Sequence, residues 1–297
     1  MRPLFFSVLV LALRNGDAQV AFDLNRPSAL FVLPAELHEV SALTDVDART
    51  VACLQDEDAT LYLIDAATGM VRFTDEDHLV YKVETHNSPS ALDPYGGAMT
   101  GIVGVNRDSL GTGLGADLLT NVWGYCFGEP DFAGALPPGL MHPRRIRDGV
   151  HRGVIDGGNQ SGIPYSRGFE LFDARYAGKP LVYCGTVAVM PVTAAGRPGH
   201  EKFVRPGDAI VMLGGRIGKD GIHGATFSSV ELDESSPVQA VQIGDPITQK
   251  MVADFLGEAR ELGLYSGLTD NGAGGLSSSV GEMATFTNGA EIDLARA

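Results

Sequence analysis

The sequence predicts an α/β (α+β) protein with two domains, and three observations lead to this prediction. The chain has 297 residues, of which 44% are hydrophobic, and both values suit about two globular domains with buried cores. Strand-like apolar runs alternate with segments whose apolar residues recur at helical spacing, the pattern of mixed α and β layers. Glycine is frequent, with 38 residues, so tight turns and close backbone contacts are expected between the elements.

The first 75 residues predict strands and short helices without a chemical motif. Residues 59–65 predict a strand, and residues 66–69 predict the turn that follows it. The apolar run at 3–13 predicts a buried element or an irregular start, with a signal sequence as the alternative. It is shorter than the roughly 20 residues that a membrane span requires, and no small-residue cleavage site follows it. No membrane partner is therefore expected.

Two apolar strands are predicted to end in polar residues, a common position for a site in α/β proteins. Residues 79–83 predict the first strand, which runs directly into Glu84. The small apolar run 98–105 predicts the second, and Asp108 follows it closely. Residues 181–190 predict a further buried strand.

Residues 193–206, which are punctuated by Pro and Gly, are the predicted linker between the two domains. Residues 1–75 are assigned to an N-terminal extension or to the start of the first domain, which continues over 76–192. The second domain is expected to span 207–297 and to be truncated. A fresh strand is predicted at its start, over residues 208–213.

The clearest helix of the chain begins after Asp245, which can serve as N-cap with Pro246 at the first helical position. The apolar residues that follow at helical spacing predict one buried stripe, made of Ile247, Met251, Phe255, Ala259 and Leu262. A strand end near Leu268 is then expected to turn through glycines into a last helix over 276–284.

The charge balance limits the partners. The 22 basic and 37 acidic residues give a formal net charge of −15, which excludes a general nucleic-acid binder. Small phosphorylated ligands are compatible with this charge, because backbone N–H groups, a few cations and a bridging metal can hold them. The 3 cysteines form no CxxC pair, so reduced thiols and a cytoplasmic location are the preferred interpretation.

The usual phosphate-binding loops do not fit. A Walker A motif fails because Leu213 and Asp220 stand where Gly and Ser or Thr are required. Residues 111–116 match the looser GxGxxA pattern, but no long apolar strand precedes them. A plain glycine loop is therefore preferred to a dinucleotide site.

Carboxylates at predicted strand ends and glycine turns form a candidate metal site. Glu84 and Asp108 each follow an apolar strand, and Asp270 precedes a glycine-rich helix start. Such oxygen ligands suit Mg²⁺, which uses one or two carboxylates together with substrate phosphates. His86 can serve as a general base near pH 7. Solvated loop carboxylates are the alternative interpretation.

Several longer strings make the assignment more specific. They are KVETHNSPS (82–90), DPYGGA (93–98), RD (107–108), GGRIGKDGIHGAT (214–226), VQIGDP (241–246) and DNGAGG (270–275). In this order they resemble the signature of phosphoribosylformylglycinamidine (FGAM) synthase. The resemblance implies an aminoimidazole ribonucleotide synthetase-like N-terminal domain with a mixed sheet, plus a partial second α/β domain. It also implies ATP-dependent amidation of formylglycinamide ribonucleotide in purine biosynthesis.

The resemblance further implies residue roles. Lys82 would contact ATP, Glu84 would bind one Mg²⁺ ion, and Asp108 and Asp270 would bind a second. Thr85, His86, Asn87, Ser88, Arg107 and Gln242 would contact the substrate, with His86 as the proton acceptor.

Two departures from the family pattern bear on these roles. Ser88 stands where the family usually has a second His, and its upstream Trp-Ser-Glu-His-Cys element has no counterpart in residues 1–75. The expected protein is the first half of the enzyme, with a second synthetase half, fused or separate, and an ammonia-supplying glutaminase as partners. The alternatives are another ATP-dependent synthetase of the superfamily and a non-catalytic scaffolding half.

Overall fold

A computed structural model describes residues 40–45, 50–55, 60–65 and 71–73 as backbone strands, and residues 77–215, 244–272 and 274–292 with their side chains. The chain divides into two compact units, residues 1–76 and 77–297.

The first unit contains a four-stranded antiparallel sheet in the order β1-β2-β3-β4. Its strands are β1 (Val40–Asp45), β2 (Thr50–Gln55), β3 (Thr60–Asp65) and β4 (Val71–Phe73). Strand β3 confirms the strand predicted at 59–65. The predicted turn at 66–69 and the apolar run at 3–13 lie outside the described residues.

The second unit is built on a mixed four-stranded sheet, which confirms the predicted fold class. Its strands are β5 (Asp77–Thr85), β6 (Asp117–Phe127), β7 (Tyr165–Phe172) and β8 (Leu181–Pro191). They lie in the order β5-β8-β6-β7, with β6 and β7 parallel and the other neighbours antiparallel. Strand β5 is therefore an edge strand.

Three helices cover one face of this sheet: α1 (Asn87–Leu92), α2 (Pro94–Leu110) and α3 (Pro143–Ser161). The core between the helices and the sheet contains Ile102, Val105, Tyr125, Val154 and Val182, all fully buried. Burial of such side chains stabilises the fold by roughly 1.5–3 kcal/mol each before the entropy cost of folding is counted. The core thus fixes helix α2 against strands β6 and β8, and strand β5 is held beside them by its pairing with β8.

The run 98–105, predicted as a strand, is instead the middle of helix α2. The Asp93 side chain accepts a hydrogen bond from the backbone of Gly96 at 3.1 Å and Pro94 occupies the first turn, so the helix begins there. The helix is buried on nearly every side. A helix without a solvent-facing side has no polar residues at helical spacing, so its sequence looks like a buried strand.

The strand predicted at 208–213 is also wrong, because this segment has no regular secondary structure. Ile210, Val211 and Leu213 are 57%, 73% and 45% exposed. An apolar run becomes a strand when a neighbouring strand pairs with it, and within the described ranges no strand does so. Residues near Leu268, predicted as a strand end, are irregular as well.

Helix α4 (Pro246–Glu261) confirms the predicted helix and its cap, because Asp245 Oδ1 accepts the backbone N–H groups of Ile247 and Thr248 at 3.1 Å each. The predicted buried stripe is wrong. Ala259 is buried, whereas Ile247, Met251, Phe255 and Leu262 are 50–71% exposed. Polar anchors set the rotation of the helix: Arg260 on its buried side donates to Gly115 O at 3.0 Å and to Asp117 at 2.8 Å.

The predicted linker, residues 193–206, is hydrogen-bonded both to a segment that precedes it in the chain and to one that follows it. Strands β9 (Thr193–Ala194) and β10 (Arg197–Pro198) form a small hairpin. Beyond it, Gly199 O accepts from Leu114 N at 2.8 Å and Phe203 N donates to Ser266 O at 2.6 Å. The predicted domain bounds stay a prediction. Helix α5 (Gly275–Ala284) confirms the last predicted helix. No helix in the described part of the chain is long and apolar enough to cross a membrane.

Candidate functional site

Three segments of the second unit bring five charged side chains together. Lys82 and Glu84 lie on strand β5, and their spacing of two residues places them on one side of the strand. Arg107 and Asp108 lie near the end of helix α2, and Asp270 lies between helices α4 and α5. Glu84 therefore belongs to the strand rather than following it, and Asp108 belongs to a helix rather than to a strand end.

Lys82 stands between two carboxylates. Its Nζ lies 2.9 Å from Asp108 Oδ2 and 3.3 Å from Glu84 Oε1. The hydrogen bond to Asp108 is the largest cause that raises the Lys82 pKa, and Glu84 adds to it. The ammonium group is therefore charged at neutral pH and compensates part of the negative charge of this cluster.

Among the carboxylates of the cluster, Asp108 has a raised pKa. Burial is the largest cause that raises its pKa, the hydrogen bond from Lys82 opposes the shift, and the neighbouring Asp270 and Glu84 add to it, so that the pKa rises to about 6. A carboxylate that is partly buried beside two others favours a nearby cation or a proton. The arrangement is thus suited to receive a further positive charge.

The segment that carries Asp270 approaches the end of helix α2 closely. Arg107 Nε donates to Asp270 Oδ2 at 2.9 Å. A Cβ added to Gly111, which caps α2, would lie 2.9 Å from the backbone nitrogen of Asp270. Only glycine leaves room for this contact, so Gly111 helps to place Asp270 in the cluster.

His86 lies beside this cluster, at the junction of strand β5 and helix α1. Its backbone nitrogen donates to Val182 O at 2.8 Å, and its ring Nδ1 is hydrogen-bonded to Gly97 O. Burial lowers the pKa of His86, so the ring is neutral at pH 7. The charges of Glu84 and Arg107 also act on this pKa, which places the ring within electrostatic range of both.

The remaining predicted substrate residues differ in exposure. Thr85 is exposed at the end of β5, whereas Ser88 is fully buried in helix α1. Asn87 Oδ1 accepts the backbone N–H of Val182 at 2.7 Å, so this atom anchors the start of strand β8. Gln242 lies outside the described residues.

An open cleft of about 510 Å³ adjoins Lys82 and Asp108. Its lining includes residues that the sequence did not single out, namely His78, Thr112, Met190 and His200. The rings of His78 and His200 meet edge-on, with their centroids 5.2 Å apart. Because His78 and Thr112 lie far in the sequence from each other and from Met190 and His200, no local spacing in the sequence links these residues.

The structure brings the predicted metal ligands near one another without arranging them as a closed metal site. Among the described residues, no group of three or more His, Cys, Asp or Glu side chains is placed to hold a metal ion. Lys82 instead stands between Glu84 and Asp108. The division of Glu84, Asp108 and Asp270 between two Mg²⁺ ions stays a prediction.

Two models of known protein families match this chain. The model of the AIR synthase related protein N-terminal domain matches residues 58–190, and the model of its C-terminal domain matches residues 205–297. The chain belongs to the AIR synthase related family. Membership of this family agrees with the mixed sheet of the second unit and with the motifs near its edge strand.

Within the AIR synthase related family, the chain is similar to FGAM synthases, which confirms the resemblance of its motifs. It is 39% identical to phosphoribosylformylglycinamidine synthase subunit PurL of Thermoplasma acidophilum over 80% of this chain and 31% of the relative. The structure of T. maritima PurL complexed with FGAR matches 73% of this chain and 33% of that chain, with a TM-score of 0.60 and 33% identity. T. maritima PurL complexed with ATP matches 73% and 31%, with a TM-score of 0.56 and 30% identity. The chain therefore spans about a third of the length of these relatives.

Proposed function

We propose that this chain forms the first catalytic half of an FGAM synthase, which converts formylglycinamide ribonucleotide, ATP and ammonia to the amidine, ADP and phosphate. The observation that carries the proposal is the convergence of Lys82, Glu84, Arg107, Asp108 and Asp270 beside His86. These residues lie up to 188 positions apart in the sequence, yet ion pairs join them at 2.9–3.3 Å. They are the positions at which the motifs match the family.

The charged groups suit phosphoryl transfer. In the proposed reaction the γ-phosphoryl group of ATP moves to the amide oxygen of the substrate, and ADP leaves. The ammonium of Lys82 and the guanidinium of Arg107 stabilise negative charge on the transferred group. The cleft of about 510 Å³ beside Lys82 is of the size that ligand sites commonly have, roughly 300–1,000 Å³.

His86 suits the second step. The nitrogen of ammonia attacks the carbon of the phosphorylated amide, the bond from that carbon to the phosphorylated oxygen breaks, and phosphate leaves with the bonding electrons, so that this carbon becomes the amidine carbon. The attacking nitrogen must lose a proton, and a neutral imidazole can accept it. The lowered pKa of His86 keeps its ring in that neutral form.

The carboxylates fit Mg²⁺. Asp108, Asp270 and Glu84 supply hard oxygen ligands, and these three carboxylates are ion-paired with only two cations among the described residues, Lys82 and Arg107. Burial, with the charges of Asp270 and Glu84 added to it, raises the pKa of Asp108, which supports a place for a further cation. Bound Mg²⁺ would neutralise charge on the phosphates of the nucleotide. Lys82 would then exchange its contacts with Asp108 for contacts with a phosphate. The proposal places this chemistry in the cytoplasm.

Two partners belong to the proposal. The second synthetase half fits the face of the sheet opposite the helices, where Tyr81, Val83, Phe169 and Leu171 are 40–57% exposed. An apolar patch of this kind marks an interaction surface. A glutaminase would supply the ammonia.

The proposal is tested by assay of the full chain with ammonium, Mg-ATP and formylglycinamide ribonucleotide, alone and with the complementary two thirds of a full-length relative. We expect ADP and amidine to form on complementation, and both to be lost in His86→Ala and Lys82→Met. Lys250→Met is the matched control, because Lys250 pairs with Asp254 on the exposed side of α4.

Two results would overturn the proposal. One is the absence of both ATP binding and turnover in the complemented chain. The other is turnover that His86→Ala and Lys82→Met leave unchanged. ATP hydrolysis with a different acceptor would instead identify another synthetase of the superfamily.

A further inference from the structure

We propose that Gly97 is a positioning residue for His86: its backbone carbonyl holds the imidazole as the Nδ1–H tautomer and leaves Nε2 as the nitrogen with the lone pair. The catalytic meaning of this inference rests on the proposed function. The tautomer itself is a property of the folded chain and is measurable without substrate.

Hydrogen bonds to both of its peptide groups fix the backbone of His86. The residue ends the pairing of β5 with β8 through its N–H bond to Val182 O at 2.8 Å. Its own carbonyl accepts from the Ser90 hydroxyl and from the backbone of Ser90 in helix α1. With both peptide groups held, the ring is left with only side-chain rotation to choose its partners.

The ring finds its partner on the neighbouring helix. Nδ1 of His86 is hydrogen-bonded to the carbonyl oxygen of Gly97, in the first turn of α2. A carbonyl can only accept, so Nδ1 must carry the hydrogen. In a neutral imidazole the second nitrogen then has a free lone pair, and this nitrogen is Nε2.

Two glycines allow α2 to approach closely enough for this bond. A Cβ on Gly97 would lie 2.4 Å from the carbonyl carbon of Pro89 and 2.7 Å from the nitrogen of Ser90, both backbone atoms of helix α1. One turn later, a Cβ on Gly101 would lie 2.8 Å from Cys184 Sγ and 3.0 Å from Cβ of His86 itself. Any side chain at these positions would push α2 away from the His86 ring.

Gly104 provides a matched control on the same helix. A Cβ at Gly104 would lie 3.9 Å from Arg107 Nη2 and 4.0 Å from Glu84 Oε2, which is ordinary van der Waals contact, and it would displace no backbone atom. Gly104→Ala therefore makes the same change of helix propensity as Gly101→Ala without moving the helix. The difference between the two variants isolates the close contacts of Gly101 with Cys184 and His86.

The first measurement is ring-nitrogen NMR of the full chain labelled with ¹⁵N-histidine, with His86→Asn used to assign the signal. We expect a single Nδ1–H tautomer of His86 at pH 7.5. An Nε2–H tautomer, or a fast-exchanging mixture such as free imidazole gives, would overturn the proposal.

The second measurement uses Gly101→Ala, because Gly97→Ala brings backbone atoms into collision and can prevent folding. In Gly101→Ala we expect a mixed tautomer and a fall in kcat of the complemented enzyme of about 10- to 100-fold with little change in KM, a part of what a general base contributes. Adding Cys184→Ala removes the sulfur from the collision and should restore both in part, while Gly104→Ala keeps the wild-type tautomer of His86.

The outcomes separate this inference from the proposed function. A fixed tautomer in Gly101→Ala together with lost activity would overturn the positioning role of the glycine contact. A tautomer that changes as expected in a complemented enzyme without amidation activity would overturn the proposed function and leave the positioning of His86 intact.

Discussion

Replacing Asp108 with Asn is expected to make the ligand-free protein more stable at neutral pH. The Asp108 side chain is 19% exposed, faces Asp270 and Glu84, and has a pKa raised from 3.8 to about 6. A shift of this size corresponds to a penalty of about 3 kcal/mol on the ionised form. Asn has the shape of the carboxyl group without its charge, and it can still accept a hydrogen bond from Lys82.

The free-energy penalty on ionised Asp108, and with it the stabilisation expected from Asp108→Asn, increases with pH. Since the folded pKa is raised, the penalty is fully present above pH 6, fades as the pH falls from 6 towards 3.8, and is absent below 3.8. Allowing for relaxation of the exposed Lys82 and Glu84 side chains, we expect Asp108→Asn to stabilise the unit by about 1–3 kcal/mol at pH 7.5. In melting temperature this is roughly 2–4 °C per kcal/mol for a unit of this size.

Urea denaturation of wild type and Asp108→Asn at pH 7.5 and near pH 4 measures the effect. Asp254→Asn is the matched control, since Asp254 is 64% exposed and pairs with Lys250 on the surface. We expect the control to change stability by less than about 0.5 kcal/mol. Equal or lower stability of Asp108→Asn at pH 7.5 would refute the argument that the cluster stores repulsion for a cation to relieve.

Three further outcomes follow from the same contacts. Asp245→Ala should lower the free energy of unfolding, measured by urea denaturation, by about 1 kcal/mol. Hydrogen bonds from Thr248 lower the pKa of Asp245, so its stabilising contribution is present above pH 3.8 and is lost as the pH falls through the folded pKa. Gly111→Ala should weaken Mg-ATP binding in calorimetry, because its Cβ would lie 2.9 Å from Asp270 N, whereas Gly281→Ala, with no atom within 4 Å, should bind normally. Tyr125→Phe should raise stability by about 1 kcal/mol, since the hydroxyl is buried and has no hydrogen-bond partner among the described residues; a loss of stability would contradict this reasoning.

Local signals predicted those parts of the fold whose causes are local. Asp245 followed by Pro246 predicted a helix start, and the structure shows both the cap and the helix. Asp93 followed by Pro94 is the same signal and begins helix α2. The apolar run after Pro94 was nevertheless interpreted as a strand, because a helix buried on all sides loses the periodicity on which the interpretation relied.

Contacts between distant segments explain the other differences. The stripe on helix α4 has the right spacing for burial, yet Arg260 and its bonds to Gly115 and Asp117 decide which side of the helix faces inward. The candidate site likewise depends on contacts between distant segments that local spacing does not reveal. Positions at predicted strand ends and a glycine turn grouped Glu84, Asp108 and Asp270 as a candidate metal site with solvated loop carboxylates as the alternative, and the resemblance of whole motifs was needed to make the assignment specific.

The glycines show most clearly why part of the site escapes a sequence pattern. Gly97, Gly101 and Gly111 lower the helix propensity of their segment, so local reasoning counts them against a helix. In the folded chain each leaves space that a different segment occupies: helix α1, Cys184 and the backbone of Asp270. The missing Cβ atom is visible in the sequence, but the atom that fills its place comes from elsewhere in the chain. The positions of His86 and Asp270 therefore depend on residues whose purpose only the packed structure reveals.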